Sequence, residues 1–257
     1  MSGPPEGAVD PLHAFISRSL RTEVSDVSEV IIRDTTDGEI DRVTFTEAGR
    51  RRSLVISRVP HTAALEVKLL PHLARKSTGV PQVYARGIPP ATARGWPWLL
   101  IEDLLDAPSG RDDPVAVVRM KAAIERAVAA DGPALGALGV PRRPASGPLA
   151  EWPEGLVHGA LRCEAALRAD RGIVITGWRH AFVGCPLLDV ATFARDAGVP
   201  AGPLFAAYGD AVGRAVGPEL IAAAMEASGS MAGPSRVGDR GGSAVEESPG
   251  STGQGSG

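Results

Sequence analysis

Three runs of strand-forming residues separated by turn-forming segments predict a sheet in the first part of the chain. The runs SEVIIR, DRVTFT and RSLVISRV are rich in β-branched residues and are separated by the turn-forming segments DTTDGE and EAGRR, which predicts an antiparallel meander. A helical pattern, HTAALEVKLLPHLARK, places Leu65, Leu69 and Leu73 on one face behind a cap at Thr62. The runs PQVYARGI and WPWLLIEDL predict two more strands. A short helix near Asp10–Leu20 precedes this order of three strands, one helix and two strands.

The second half of the chain is predicted to be mainly helical. One helix is expected around Pro114–Ala130, and another follows the predicted strand GIVITGW. In the segment PLFAAYGDAVGRAVGPELIAAAMEAS, apolar residues recur every four positions from Leu204 to Val216, and Gly217-Pro218 divides the pattern into two helices. The whole chain therefore reads as α+β, with a sheet followed by helices.

Composition excludes several classes of protein. At 257 residues and 44% hydrophobic content, the chain can bury one sizeable core or two small lobes that share a cleft. A net charge of -3 predicts no nucleic-acid partner and no attachment to an anionic membrane. The start of the chain lacks the basic and apolar stretches of a signal peptide, so a cytoplasmic location is expected. Cys163 and Cys185 predict two buried thiols rather than a disulfide framework or a metal site.

The last residues and the arginine content add little chemistry. Residues 229–257 are rich in Gly and Ser and contain no aromatic residue, which predicts a disordered tail. Three lysines stand against 24 arginines, which is typical of coding bias in a GC-rich, bacterial genome. Neither feature indicates a function.

Several ordered segments resemble one family. LVISR looks like a strand that carries an ATP-binding lysine, Glu66 like the helix glutamate that pairs with this lysine, and WLLIEDL like a hinge. LVHGALRCEAAL and IVITGWRHAFVGCPLLDVATFA are similar to a catalytic loop and a metal-binding strand. The chain thus resembles the aminoglycoside phosphotransferase and choline kinase-like family. This implies a two-lobed, protein-kinase-like α+β fold, with an N-terminal segment (1–24), a sheet lobe with one helix (25–104) and a reduced, mainly helical lobe (105–228).

The departures from the family pattern fall on the residues that carry the chemistry. The resemblance places a phosphate-contacting lysine at position 57, where Ser57 stands with Arg58 beside it on the other face of the strand. It places the catalytic aspartate at Ala160, an asparagine metal ligand at Ala165 and the main metal-binding aspartate at Gly177. Mg²⁺ needs oxygen ligands, so no metal site and no intact catalytic group is predicted.

The residues that remain have scaffold or cleft positions. The resemblance implies that His158 braces the backbone of its loop, that Gly159 forms a tight turn, and that Asp189 supports the loop amides. It also implies nucleotide-cleft positions at Ser57, Glu66, Glu102 and Asp103. Glu154, Glu164 and Asp170 lie near the loop in sequence, and we expect them to be solvated surface acids rather than replacement ligands.

Positive charge is expected where the family carries carboxylates. Arg162, Arg179 and His180 flank the same strand ends and are candidates for binding an anion without metal. The alternative is that the arginines are solvated or paired with nearby acids.

Three functions remain open from the sequence. The leading expectation is a catalytically degenerate phosphotransferase-like protein, a pseudokinase, without a cofactor. It would act as a binding, scaffold or accessory subunit for a protein or peptide partner, such as an active enzyme of the same biosynthetic pathway. One alternative is an active ATP- and Mg²⁺-dependent phosphotransferase that acts on a small-molecule or peptide hydroxyl through displaced residues. The other is a metal-independent sensor of an anion or nucleotide.

Overall fold

A five-stranded antiparallel sheet forms the first half of the protein. The structure of the protein is a computed structural model, and it describes residues 11–36, 38–89 and 95–231. The strands lie in the order β1-β2-β3-β5-β4. Their bounds are β1 Ser25–Thr35, β2 Gly38–Glu47, β3 Arg50–Arg58, β4 Val83–Gly87 and β5 Trp98–Glu102. The predicted strands and the hairpin turn between β1 and β2 are confirmed, with Asp37 of that turn outside the described residues.

The outer face of this sheet packs against the first helix, α1 (Pro11–Leu20). Alternate residues such as Val43 and Phe45 on β2 and Leu54 and Ile56 on β3 point to this side and form a small core with Ile16 of α1. The predicted N-terminal helix is thus present, although residues 1–10 lie outside the described part of the chain. Burial alternates along β2, whereas Leu54, Val55 and Ile56 of β3 are all buried, because Val55 faces the cleft side of the sheet.

Helix α2 (Leu65–Ala74) lies between β3 and β4 in the chain, as predicted. Leu69 and Leu73 are buried, and they join the larger core formed by the second half of the protein. The predicted cap at Thr62 is wrong. Thr62 belongs to a separate 3₁₀ turn, and the residue before α2 is Ala64, whose side chain cannot accept a hydrogen bond.

The second half of the protein is helical and contains two short two-stranded antiparallel sheets. One sheet pairs the strands that flank residues 158–181, and the other is a hairpin whose strands lie on either side of Asp170 and Arg171. The strands are β6 Gly155–Val157, β7 Ala166–Ala169, β8 Gly172–Ile175 and β9 Phe182–Gly184. The helices are α3 Pro114–Ala127, α4 Gly132–Ala137, α5 Leu187–Ala197, α6 Ala201–Val212 and α7 Pro218–Met231.

The helix boundaries differ from the prediction at three places, the first of which is the end of α3 at Ala127 instead of near Ala130. The four-residue spacing extended the first late helix to Val216, but α6 ends at Val212 because Gly213 adopts a left-handed conformation that terminates it. Helix α7 begins at Pro218, as predicted, and reaches Met231. The predicted tail at 229–257 thus begins within the last turn of α7, and residues 232–257 lie outside the described part of the chain. Over residues 11–36, 38–89 and 95–231, none of the helices has the length and apolar content needed to cross a membrane.

Candidate ligand-binding cleft

A cleft of about 610 Å³ lies between the sheet and the helical half of the protein. Its upper wall comes from the cleft-facing side of β1 to β3 and from α2, and its lower wall comes from the loops around β6, β8 and the 3₁₀ turn Trp178–His180. The residues of interest that line it are Arg33, Ile40, Val55, Ser57, Glu66, Glu102, Ala160, Arg162, Glu164, Ala165, Gly177, Arg179 and His180. The volume is within the range of small-molecule sites.

No lysine reaches the upper wall at the position that the family pattern assigns to it. Ser57 on β3 lies opposite Ile40 on β2 and borders the cleft. The next residue, Arg58, also borders it, but its guanidinium is bound by the carboxylates of Glu39 and Asp41. Asp41 is almost fully buried, so this pairing is required to compensate its charge. Arg58 is therefore not available to replace the lysine.

Glu66 has taken a different partner. Its Oε1 accepts a hydrogen bond of 3.0 Å from the backbone N–H of Trp178, which ties α2 to the start of the 3₁₀ turn below the cleft. Burial raises the pKa of the Glu66 carboxyl, and the charge of Arg179 offsets this only in part. A partly buried carboxylate without an ion pair within the described residues is thus held by backbone amides.

The loop after β6 is fixed by two side chains. The backbone N–H groups of His158 and Gly159 donate to the two oxygens of Asp189 at 2.6 and 3.0 Å. The His158 ring lies within hydrogen-bond distance of the Thr176 carbonyl through Nε2 (2.7 Å) and accepts from the N–H of Ala160 through Nδ1 (3.3 Å). This pattern requires a neutral ring with its proton on Nε2, and burial lowers the pKa of His158 accordingly. The structure thus places these residues where the resemblance expects a scaffold.

Gly159 cannot be replaced without displacing the backbone. Its φ is +82°, and a Cβ atom at this residue would lie 2.3 Å from the carbonyl oxygen of His180. Gly159 therefore lets the loop approach the turn that carries Arg179 and His180.

A lysine that sequence reasoning missed lies beneath this loop. Lys121 of α3 is fully buried, and its Nζ is 3.2 Å from Asp189, 3.3 Å from Glu125 and 2.7 Å from the carbonyl of Leu156, to which it donates. Burial disfavours its charge, but Glu125 and Asp189 outweigh this effect and raise the pKa of Lys121. Tyr208 completes the network by donating to Glu125 at 2.7 Å. The charge on Asp189 is thus compensated from within the protein.

The positions assigned to metal handling offer no oxygen from a side chain. Ala160, Ala165 and Gly177 all line the cleft, and over the part of the chain that the structure describes no group of three or more His, Cys, Asp or Glu residues is arranged to hold a metal ion. Glu164 borders the cleft but is exposed, and Glu154 forms an exposed ion pair elsewhere. Glu66 is held by the backbone N–H groups of Gly177 and Trp178, but among the described residues it belongs to no cluster of acids that could hold a metal ion.

The candidate anion-binding residues are two arginines without an ion pair among the described residues and one histidine. Arg162 is half-buried in the loop after β6, and Arg179 and His180 are exposed in the 3₁₀ turn. Within residues 11–36, 38–89 and 95–231, none of the three forms an ion pair. Burial lowers the pKa of His180, and the charges of Arg179 and Arg143 lower it further. His180 thus lies in a positive electrostatic potential.

The two acids of the hinge are held by arginines. Glu102 borders the cleft and forms a bidentate ion pair with Arg171, which also donates to the carbonyls of Thr78 and Val80 at 3.0 and 3.1 Å. Asp103 lies outside the cleft lining and is bound at 2.8 Å by Arg42 of β2. Sequence reasoning missed both partners, because they are distant in the chain. These ion pairs connect the sheet, the hinge and the β7–β8 hairpin.

An antiparallel sheet with one inserted helix, joined by a hinge to a helical half with a cleft between them, defines a two-lobed kinase-like fold. Comparisons with protein-family profiles and with curated proteins give no match. Solved structures do match. A macrolide 2'-phosphotransferase from Brachybacterium faecium is 19% identical, with a TM-score of 0.57 over 85% of this chain and 88% of that chain.

Two further structures have the same fold. A choline kinase from Cryptosporidium parvum is 8% identical, with a TM-score of 0.57 over 80% of this chain and 79% of that chain. A Ralstonia eutropha protein, provisionally assigned as an aminoglycoside phosphotransferase, is 14% identical, with a TM-score of 0.55 over 83% and 84% of the two chains. These likenesses confirm the predicted kinase-like fold of the aminoglycoside phosphotransferase and choline kinase type.

Proposed function

We propose that this protein is a pseudokinase, which has the phosphotransferase fold but acts as a binding or scaffold subunit instead of transferring phosphate. The observation that carries the proposal is the absence of side-chain oxygens at Ala160, Ala165 and Gly177 in the described cleft. Phosphoryl transfer needs a metal ion on the phosphate oxygens and a positioned group near the acceptor hydroxyl. Each such element lowers the barrier by about 3 kcal/mol or more, so losing all of them removes the ordinary route.

The hinge ion pairs also favour binding over turnover. The Glu102–Arg171 and Asp103–Arg42 pairs link the sheet to the hinge and to the hairpin below it. Kinases open and close their lobes during turnover, so contacts that fix the hinge oppose such motion. A protein that binds without turnover has no need of this motion.

Edge strand β1 favours a protein or peptide partner. It lies at the edge of the sheet, and its three consecutive apolar residues Val30, Ile31 and Ile32 are 58%, 63% and 48% exposed. An exposed apolar edge strand can pair with a strand of another chain. We therefore propose a cytoplasmic protein or peptide partner, such as an active enzyme of the same pathway.

Two experiments test this proposal. In the first, the protein is incubated with ATP, Mg²⁺ and a panel of hydroxyl acceptors that includes a macrolide, an aminoglycoside, choline and a serine-containing peptide. We expect no ADP above the protein-free rate. Mg²⁺-dependent transfer to any acceptor would contradict the proposal and favour an active phosphotransferase, for which Glu164 is the exposed one of the three acids, with Glu66 and Glu102, that line the cleft.

The second experiment tests the partner. The tagged protein is purified from its source cells, together with an Ile31→Lys variant and an Ile88→Lys control, which changes an apolar residue with 44% exposure outside β1. We expect a stoichiometric partner that is lost with Ile31→Lys and kept with Ile88→Lys. Equal retention by both variants would contradict the role of β1.

A further inference from the structure

The free charges of the cleft are positive. Arg33 borders it from β1, and Arg162 and Arg179 border it from below. Over residues 11–36, 38–89 and 95–231 these three guanidinium groups form no ion pair, whereas Arg58 on the same cleft is held by Glu39 and Asp41. Three uncompensated arginines around one cavity present an attractive potential for an anion.

The acids of the cleft do not cancel these charges. Glu102 is bound by Arg171, and Glu66 is partly buried and accepts from the N–H of Trp178, where burial raises its pKa more than Arg179 lowers it. Glu164 is exposed at the mouth. The cleft therefore carries more positive than negative charge, and it does so from both walls.

Three amides at the hinge are already used within the chain. The N–H groups of Glu102, Leu105 and Ala107 donate to the carbonyl of Gln82, to Asp103 and to the carbonyl of Leu104. Hydrogen bonds within the chain thus use these three donors. Recognition in this cleft must then rest on charge more than on hydrogen bonds from these hinge amides.

We propose that the cleft binds a ligand of the diphosphate class without a metal ion, through Arg162 and Arg179 below and Arg33 above. Guanidinium groups donate paired hydrogen bonds to phosphate oxygens and carry the charge that a metal ion supplies elsewhere. A diphosphate carries enough negative charge to balance more than one arginine, whereas a single carboxylate balances only one. The inference deepens the proposed function and rests on it, since a metal-dependent enzyme would bind the same anion together with Mg²⁺.

Isothermal titration calorimetry of the full chain tests the proposal with inorganic pyrophosphate, ATP and adenosine, each in EDTA and again with excess Mg²⁺. We expect pyrophosphate and ATP to bind in EDTA with affinities within about tenfold of each other, and adenosine not to bind. Arg162→Gln and Arg179→Gln should each weaken pyrophosphate binding by about tenfold, because one charge-assisted contact is lost. Arg119→Gln, which alters an exposed arginine of α3 outside the cleft, should leave the affinity unchanged.

Several results would overturn the proposal. Adenosine binding as tightly as ATP would show recognition of the base. Unchanged affinity in Arg162→Gln and Arg179→Gln, with melting temperatures equal to wild type, would place the anion elsewhere. Absence of pyrophosphate binding, together with absence of phosphate transfer, would overturn this inference and leave the proposed function standing. Binding that requires Mg²⁺ would contradict both.

Discussion

Replacing Lys121 by Met tests the buried charge network under the loop. The change removes a cation that lies 3.2 Å from Asp189 and 3.3 Å from Glu125, and it leaves the methylene stem in place. Asp189 keeps the amides of His158 and Gly159, and Glu125 keeps the hydroxyl of Tyr208. Both carboxylates nevertheless lose their buried counter-charge.

The expected cost follows from this geometry. Breaking a buried ion pair by removing one partner costs about 3–5 kcal/mol, because the other charge remains uncompensated. For a protein of this size, such a loss lowers the melting temperature by roughly 10 °C. Urea unfolding followed by circular dichroism measures the free energy of unfolding. Lys68→Met, which alters an exposed lysine on α2, is the matched control and should cost less than about 0.5 kcal/mol.

A double-mutant cycle refines the test. If Lys121 compensates the charge of Glu125, the double variant Lys121→Met/Glu125→Gln should lose less free energy of unfolding than the two single variants lose together. The difference, which is the coupling energy, should be about 1–3 kcal/mol. A loss below about 1 kcal/mol for Lys121→Met, or strict additivity in the cycle, would refute the reasoning.

Three further predictions follow from the cleft and the core. The variant Glu66→Gln keeps an acceptor for the N–H of Trp178. Because the pKa of Glu66 is raised in the folded state, the stability of the wild-type protein falls as pH rises through that pKa, and urea unfolding should show the variant gaining relative stability above pH 4.5. Parallel pH profiles of the two proteins would contradict this expectation. Gly159→Ala should lower the free energy of unfolding by at least about 2 kcal/mol in the same assay. The control Gly139→Ala, where φ is also positive but no atom lies within 4 Å of the added Cβ, should lower it by about 1 kcal/mol. Equal losses in the two variants would contradict the clash with the His180 carbonyl. Burial raises the pKa of Cys185 to about 11, so its alkylation by iodoacetamide at pH 8 should be about a hundredfold slower than that of a free cysteine, and equal rates would contradict its burial.

The fold was predictable because its signals are local. The β-branched runs of β2 and β3 and the face of α2 with Leu69 and Leu73 are short-range patterns, and the order of elements follows from them. The Gly217-Pro218 break is equally local. The end of α6 was misplaced because apolar spacing continues past Gly213, where the left-handed conformation of one residue stops the helix.

The site was predictable only at its motif positions. The motifs place Ala160, Ala165 and Gly177 in one region, and the structure places all three on the cleft. The partners of Glu102 and Asp103 lie 69 and 61 residues away, so no local pattern indicates them. Lys121 occupies the buried stripe of an otherwise ordinary amphipathic helix, and that position was the one sequence signal for its network.

Electron paramagnetic resonance of Mn²⁺, which replaces Mg²⁺ at oxygen-ligand sites, shows directly whether the cleft can hold a divalent metal ion. We expect that adding the protein to Mn²⁺ without nucleotide leaves the spectrum of aqueous Mn²⁺ unchanged. The variant Ala160→Asp/Ala165→Asn/Gly177→Asp, which supplies three oxygen-bearing side chains at the cleft, should produce a protein-bound signal. A stoichiometric, Mg²⁺-displaceable Mn²⁺ signal from the wild-type protein would contradict the account.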